Sequence, residues 1–95
     1  MDDEDEMVRA ILKLSGRVQG VAFRYYARNK ANQLGITGWI RNLDNGDVEA
    51  VFEGKNSLVL QMITWCKRGP SLAHVENIDI DWQTYTGEFN QFNIF

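Results

Sequence analysis

The segment of residues 16–24 combines two glycines with two arginines, a combination that could bind an anion. Glycines let the main chain turn tightly and approach a ligand without a Cβ atom in the way. If a helix begins at Phe23, its first main-chain N–H groups have no partner within the helix and can donate to an anion above the loop. The segment therefore predicts an oxyanion-binding loop. Its residues are Gly16, Arg17, Val18, Gln19, Gly20, Val21, Ala22, Phe23 and Arg24.

Two features of this loop support that interpretation. No Ser, Thr, Asp or Asn lies between Gly16 and Phe23, so the helix donors have no obvious side-chain cap. Arg24 would place a cation in the first turn, where the helix dipole disfavours it by up to about 1 kcal/mol. An oxyanion between the guanidinium and the amides makes the placement favourable, because the planar fork can grip two oxygens. The alternative is a surface arginine that reaches back over the loop.

The surrounding pattern predicts which elements carry the loop. Apolar residues alternate over residues 8–14, which is typical of a strand with one buried face. Spacings of four, four and three then predict a helix over residues 23–34, with Gly35 at the position that follows the last turn. The inward-facing residues are Val8, Ala10, Leu12 and Leu14 on the strand, and Phe23, Ala27, Ala31 and Leu34 on the helix.

The rest of the chain predicts a hairpin, a second helix and a long strand. Residues 36–42 and 47–52 alternate around the turn at 44–46, so Asn42 projects near that turn. A second helix follows Gly54, with Asn56 or Ser57 as its cap and Gly69 after its last turn. Residues 75–82 form a strand, and residues 92–95 form a short terminal strand or an addition to the sheet edge. The second helix turns Leu58, Met62 and Trp65 or Cys66 inward, and the long strand has Ile78, Ile80 and Trp82 on one face.

This order of elements predicts an α+β protein with the ferredoxin-like split βαβ arrangement. The expected order is βαββαβ, an antiparallel sheet with two helices on one face, plus a short C-terminal strand. That topology supports many functions, so the site has to decide the function.

Composition limits the organisation of the chain. With 95 residues there is room for one domain, which we place at residues 8–95. Five of the 13 acidic residues lie in residues 2–6, and we interpret residues 1–7 as an acidic, disordered tail. No apolar run approaches the roughly 20 residues that span a bilayer, and the acidic start is unlike a secretion signal. We therefore expect a soluble, cytoplasmic protein that does not bind membranes.

The inventory of reactive residues is small. One cysteine and one histidine argue against a disulfide framework and a structural zinc site, so we expect no metal and no cofactor. Cys66 lies on the apolar face of a predicted helix, which is typical of a buried hydrophobic residue. His74 starts a strand far along the sequence from the loop, and we interpret it as a surface or structural residue.

Residues 16–24 resemble the phosphate loop of acylphosphatases, which reads Gly-Arg-Val-Gln-Gly-Val-x-Phe-Arg and matches here at every specified position. A second similar block runs from Gly38 through Trp39, Ile40, Arg41, Asn42 and Leu43, and continues after a turn from Gly46 to Gly54. The resemblance covers about residues 8–94. It implies that Arg24 is the catalytic, phosphate-binding arginine, that Asn42 orients the attacking water, and that the loop amides bind the phosphate oxygens. The chain departs from the family pattern at its end, Ile94 and Phe95, which matters if terminal groups approach the site.

The function implied by this resemblance is hydrolysis of an acyl phosphate to a carboxylate and inorganic phosphate. Its partners would be a small-molecule acyl phosphate and inorganic phosphate as product and inhibitor, with no nucleic acid, and the protein would be a monomer. A carboxylate leaves without a general acid, and phosphoryl transfer needs mainly positioning and charge neutralisation, so the residues are sufficient. Two alternatives remain on the same topology: an anion-sensing domain without catalysis, and a nucleic-acid-binding module. The second expects exposed aromatic residues on a basic sheet face, and the predicted strands do not supply them.

Overall fold

A computed structural model describes residues 6–95, and its elements follow the predicted order. Residues 1–5 of the predicted acidic tail lie outside the described residues. Five strands and two helices make up the domain, and their bounds are β1 Met7–Arg17, α1 Phe23–Leu34, β2 Thr37–Asn42, β3 Val48–Lys55, α2 Asn56–Arg68, β4 His74–Gln83 and β5 Phe92–Ile94. The ferredoxin-like arrangement is confirmed, and β1 begins at Met7, one residue before the boundary expected from the sequence.

The strands form one sheet in the order β4-β1-β3-β2-β5. Neighbouring strands are antiparallel except for β2 and β5, which are parallel. The predicted terminal strand is therefore an addition to the sheet edge, beside β2. This pairing brings the last residues of the chain next to the strand that ends at Asn42.

The core lies between the sheet and the two helices. The predicted alternation of β1 is confirmed, because Ala10, Leu12 and Leu14 are buried. The helical face predicted for α1 is confirmed as well, with Phe23, Ala27 and Ala31 buried. The inward residues of β3 and α2 complete this core, and they are Val48, Ala50, Phe52, Val59, Met62, Ile63 and Cys66. The loop at residues 18–22 thus joins two elements that are held by the core on both sides.

The helix ends agree with the sequence in all but one case. Gly35 and Gly69 follow the last turns of α1 and α2 with φ of 70° and 68°. The predicted cap of α2 is wrong: Asn56 is the first helical residue, Lys55 precedes it in an extended conformation, and no side chain of residues 6–95 caps the helix. The reason is that β3 runs directly into α2. The main-chain N–H of Asn56 still donates to the main-chain oxygen of Glu6 at 2.8 Å, so the cap position falls on Lys55, whose side chain has no acceptor.

A buried carboxylate fastens the loop before β5 to the sheet. Glu53 on β3 is 1% exposed and accepts hydrogen bonds from Arg9 Nη1 (3.0 Å), from the amide and hydroxyl of Thr86 (3.0 and 2.9 Å), and from the Gly87 amide (3.1 Å). Burial alone would raise the pKa of Glu53, but the donors from Thr86, Arg9 and Gly87 outweigh it and lower the pKa below 4.5. The network fixes the path of residues 84–90 toward β5.

Replacing this carboxylate should destabilise the protein. We expect Glu53→Gln to lower the free energy of unfolding at neutral pH by about 2 kcal/mol or more, because a charged acceptor of several hydrogen bonds is lost. Since the folded state lowers the pKa of Glu53, its contribution is complete above the ordinary carboxyl range and is lost as the pH falls through that range. The difference between the wild type and Glu53→Gln should therefore shrink in urea unfolding series taken from about pH 6 down to about pH 3.

Glu49→Gln is the matched control, because Glu49 pairs with Arg41, whose side chain is 51% exposed. Exposed pairs contribute about 1 kcal/mol or less. Equal losses in the two variants at neutral pH would contradict the anchoring role of Glu53.

Candidate active site

The predicted oxyanion-binding loop begins where the pairing of β1 with β4 becomes irregular. The register between β1 and β4 shifts between Ser15 and Gly16. Gly16 has φ of 114°, and a Cβ at this position would clash with the main-chain oxygen of His74. Glycine is therefore required here both by the backbone conformation and by the neighbouring strand. His74, distant in sequence, thus lies next to the start of the loop, although its side chain is exposed as expected.

The loop ends in an uncapped helix. Ala22 precedes α1 in the left-handed conformation, with φ of 60° and ψ of 25°. No side chain caps the helix, and its first turn contains no acidic residue. The absence of a cap predicted from the sequence is confirmed. Arg24 is accordingly a cation beside the positive end of the helix dipole.

Most amides around this turn have no protein acceptor. The Val18 amide donates to Gly16 at 3.1 Å, and the Tyr26 amide donates to Ala22 at 3.2 Å. Between them, the main-chain N–H groups of residues 19–25 donate to no acceptor among residues 6–95. Consecutive amides of this kind at a helix N-terminus form a binding surface for an oxyanion.

Five of residues 19–25 line a cavity of about 200 Å³: Gly20, Ala22, Phe23, Arg24 and Tyr25. A water molecule takes up about 30 Å³ of the liquid, so the cavity has room for a tetrahedral oxyanion and a water. Arg24 and Asn42 line the same cavity, although they are 18 positions apart in the sequence. The full lining is Val18, Gly20, Ala22, Phe23, Arg24, Tyr25, Asn42 and Ile94.

The other loop residues named from the sequence lie elsewhere. Gly16 and Arg17 belong to β1, and Arg17 is exposed. Val21 is buried in the core. Gln19 is partly buried, and its side chain bonds to the β2–β3 turn instead of lining the cavity. The loop therefore alternates between residues that border the cavity and residues that anchor it.

Sequence reasoning missed Tyr25, which lines the cavity, and named Ile94 and Phe95 only as residues that matter if they approach the site. Ile94 lines the cavity, and Arg24 Nη1 donates to the main-chain oxygen of Phe95 at 2.9 Å. The departure of the chain end from the family pattern was the signal, and the terminal residues do approach the site. Because a guanidinium carries five N–H donors, the bond to Phe95 holds Arg24 while leaving donors for a ligand.

Asn42 ends β2 with an unsatisfied acceptor. Its Oδ1 atom is buried and has no hydrogen-bond partner in the described part of the chain. An unpaired buried amide oxygen costs about 1–3 kcal/mol, so such an atom in a cavity is a candidate for a bound polar ligand. Arg41 lies on the other strand face as predicted, where its Nη2 contacts Glu49 Oε1 at 2.7 Å.

Other parts of the described structure are less suited to bind an oxyanion. A larger hollow of about 530 Å³ lies beside Trp65, Tyr26 and Lys30, but its lining includes none of the unpaired amides of residues 19–25. Cys66 is buried, and burial raises the pKa of its thiol, which disfavours the reactive thiolate form.

Among residues 6–95, no three His, Cys, Asp or Glu side chains form a group that could hold a metal ion. No helix in that range is long and apolar enough to cross a membrane.

The chain is similar to known proteins both in sequence and in structure. The family model described as acylphosphatase matches residues 10–94. The chain is 54% identical over 89 residues to an acylphosphatase of Roseiflexus sp. (strain RS-1), covering 94% of this chain and 96% of that protein. Its structure is similar to that of an acylphosphatase from Coxiella burnetii, with a TM-score of 0.90, 33% identity and coverage of 98% and 97% of the two chains. An acylphosphatase from Bacillus subtilis is also similar, with a TM-score of 0.89, 28% identity and coverage of 93% and 98%.

The left-handed turn at Ala22 makes a prediction about stability. Ala22 is exposed, so a substitution there acts through the backbone and not through packing. We expect Ala22→Val to lower the free energy of unfolding by about 1–2 kcal/mol, because a β-branched residue tolerates positive φ poorly. Ala22→Gly should stay close to the wild type, since relief of the left-handed strain offsets the greater entropy of the unfolded chain. Urea unfolding without phosphate measures both; a Val variant as stable as the wild type would argue against a strained turn.

Proposed function

This chain belongs to the acylphosphatase family, and we propose that its loop of residues 16–24 binds the phosphoryl group while Arg24 and Asn42 carry out separate parts of the reaction. It is an enzyme that hydrolyses acyl phosphates. The observation that supports the assignment of residues is that Arg24, Asn42 and the loop residues Gly20 and Ala22 line one cavity. The loop amides and the buried Oδ1 atom of Asn42 have no hydrogen-bond partner among residues 6–95.

The phosphoryl group would lie on the amides of residues 19–25. Phosphoryl transfer spreads negative charge over three equatorial oxygens, and fixed donors stabilise that charge without reorganising during the reaction. The absence of acceptors for these amides among the described residues supports this role. In the free enzyme the donors would be hydrated, and the substrate would replace that water.

Arg24 would supply the positive charge and hold two oxygens. Its bond to the main-chain oxygen of Phe95 restricts the guanidinium before substrate arrives. A restrained fork loses less conformational entropy on binding, so more of the interaction energy reaches the transition state. Arg24 also lies where the helix dipole disfavours a cation, and a bound dianion would reverse that unfavourable interaction.

Asn42 would place the attacking water opposite the leaving oxygen. Its Oδ1 atom accepts a hydrogen bond from the water, which turns a lone pair of the water toward phosphorus. The new bond forms between the water oxygen and phosphorus while the bond from phosphorus to the acyl oxygen breaks. The electron pair leaves with the carboxylate, and the proton of the water passes to a phosphoryl oxygen or to solvent. The carboxylate needs no general acid, which suits a cavity whose lining contains no histidine or carboxylate side chain.

The remaining assignments extend this proposal. Inorganic phosphate would bind at the same loop as product and competitive inhibitor, and the enzyme would act as a cytoplasmic monomer without metal or cofactor. The catalytic domain would comprise residues 8–95, with residues 1–7 as an acidic tail. A nucleic-acid-binding function is disfavoured because Lys13 on the open sheet face lies in register with Glu49 and Asp79, so the basic surface it needs is interrupted by acids.

Separate substitutions should distinguish the two proposed roles. Arg24 touches the phosphoryl group in ground and transition states, so Arg24→Ala should lose phosphate affinity and most of the turnover together. Asn42 touches the water, so Asn42→Ala should keep near-normal phosphate affinity while kcat falls by about 10²-fold or more. Calorimetry of phosphate binding, steady-state rates and circular dichroism test this.

The exposed Arg68→Ala and Asn32→Ala are matched controls, because they lie on the helices outside the cavity lining. Both should retain binding and turnover. If Asn42→Ala lost phosphate affinity as severely as Arg24→Ala, or kept full turnover, the water-orienting role would be abandoned.

Chelation should leave the activity intact. Arg24 and the loop amides already supply the charge that a divalent ion would provide, so we expect no change in kcat after dialysis against a strong chelator. Rates on an acyl phosphate, measured before and after dialysis, test this expectation. Loss of activity that a divalent ion restores would contradict the proposed mechanism.

A further inference from the structure

The side chain of Gln19 connects the two parts of the proposed site. Its Nε2 atom donates to the main-chain oxygens of Leu43 and Asp47, at 2.8 Å in each case. Both acceptors belong to the turn between β2 and β3, and the Leu43 amide donates to the same Asp47 oxygen at 2.8 Å. The side-chain NH₂ group of Gln19 therefore connects the loop to both ends of the β2–β3 turn.

Each end of this connection lies one residue from the cavity. Gln19 stands between Val18 and Gly20, which both line the cavity. Leu43 directly follows Asn42, which also lines it. A change in the distance between loop and turn therefore changes the distance between the phosphate amides and the Asn42 side chain.

The loop has few other polar connections that could set this distance. Among the described residues, Gln19 makes the side-chain hydrogen bonds that join residues 16–22 to the rest of the protein. The main chain adds the pairing of Gly16 and Arg17 with β4 at one end of the loop, the bond from the Tyr26 amide to Ala22 at the other, and the bond from the Val18 amide to Gly16. None of these bonds reaches the β2–β3 turn. Val18, Val21 and Phe23 are buried and anchor the loop to the core by apolar contacts, so we expect variants at Gln19 to fold. Apolar contacts fill space but specify direction less than hydrogen bonds do.

We propose that Gln19 is a positioning residue that sets Asn42, and the water Asn42 holds, in line with the phosphoryl group on the loop. The inference rests on the role proposed for Asn42. Gln19 touches neither substrate nor water; it acts through the turn that carries Asn42. Phosphate binding by loop and arginine needs only one side of the cavity, whereas in-line attack needs both sides in register.

Gln19→Met tests this role, since methionine has similar length and no charge but cannot donate a hydrogen bond. A misplacement of about 1 Å at a reacting centre can cost about 10²-fold in rate, so we expect kcat to fall by about tenfold or more. Phosphate affinity, measured by calorimetry, should change by less than about threefold, because the amides and Arg24 remain. Gln61→Met on the exposed face of α2 is the matched control and should behave as the wild type.

The double variant Gln19→Met with Asn42→Ala decides whether the two residues act together. If Gln19 acts through Asn42, the double variant should be no slower than Asn42→Ala alone. Losses that multiply would overturn the proposal. So would a wild-type kcat in Gln19→Met, or a loss of phosphate affinity as large as the loss of kcat.

The outcomes also separate this inference from the proposed function. Full turnover in Asn42→Ala would overturn the role of Asn42 and, with it, the coupling to Gln19. Full turnover in Gln19→Met beside a slow Asn42→Ala would overturn the present inference alone. If circular dichroism shows that Gln19→Met is unfolded, Gln19→Ala is measured by the same criteria, and failure of both to fold would show a structural role and overturn the proposal.

Discussion

The site depends on a row of main-chain donors that the fold leaves without acceptors. The first turn of any helix has unpaired amides, and side-chain caps usually satisfy them. Here Ala22 occupies the cap position in a left-handed conformation, no side chain caps α1, and the amides of residues 19–25 find no acceptor among residues 6–95. This arrangement keeps the donors available to an anion. The position of Arg24, unfavourable beside the helix dipole by itself, follows from the same requirement.

A site made of main-chain atoms needs a rigid frame, because its geometry is the path of the backbone. Two connections far apart in sequence supply much of that frame. Glu53 fastens residues 86 and 87 to the centre of the sheet and thereby directs the chain into β5. The strand then carries Ile94 and Phe95 to the cavity, where Phe95 accepts a hydrogen bond from Arg24. The contacts of Glu53 that stabilise this edge of the sheet therefore also help to restrain Arg24.

The sequence predicted the order of the elements, and it singled out Arg24 and Asn42, which line one cavity in the structure. Periodicity located β1 and α1 because their buried faces are long and regular, whereas Arg24 and Asn42 came from two separate motifs. Three contacts were not predicted. Gln19 to the β2–β3 turn, Arg24 to Phe95 and Glu53 to Thr86 join residues 24 to 71 positions apart. Local patterns report burial and turn chemistry, whereas these contacts depend on which strands become neighbours. The cap expected at Asn56 failed for a related reason, since pairing with β1 extends β3 to Lys55 and so places a residue without a side-chain acceptor at the cap position.

Recognition by amides also explains why so small an inventory of reactive residues is enough. In the mechanism proposed above, the loop amides and Arg24 neutralise the phosphoryl oxygens, water is the nucleophile, and the carboxylate leaves without a general acid. What remains is alignment, and alignment depends on relative positions and not on pKa values. In that mechanism the rate depends less on the ionisation of any one side chain than on the distance between the loop and the hairpin, and neutral amides such as those of Gln19 and Asn42 are suited to hold that distance over a wide range of pH.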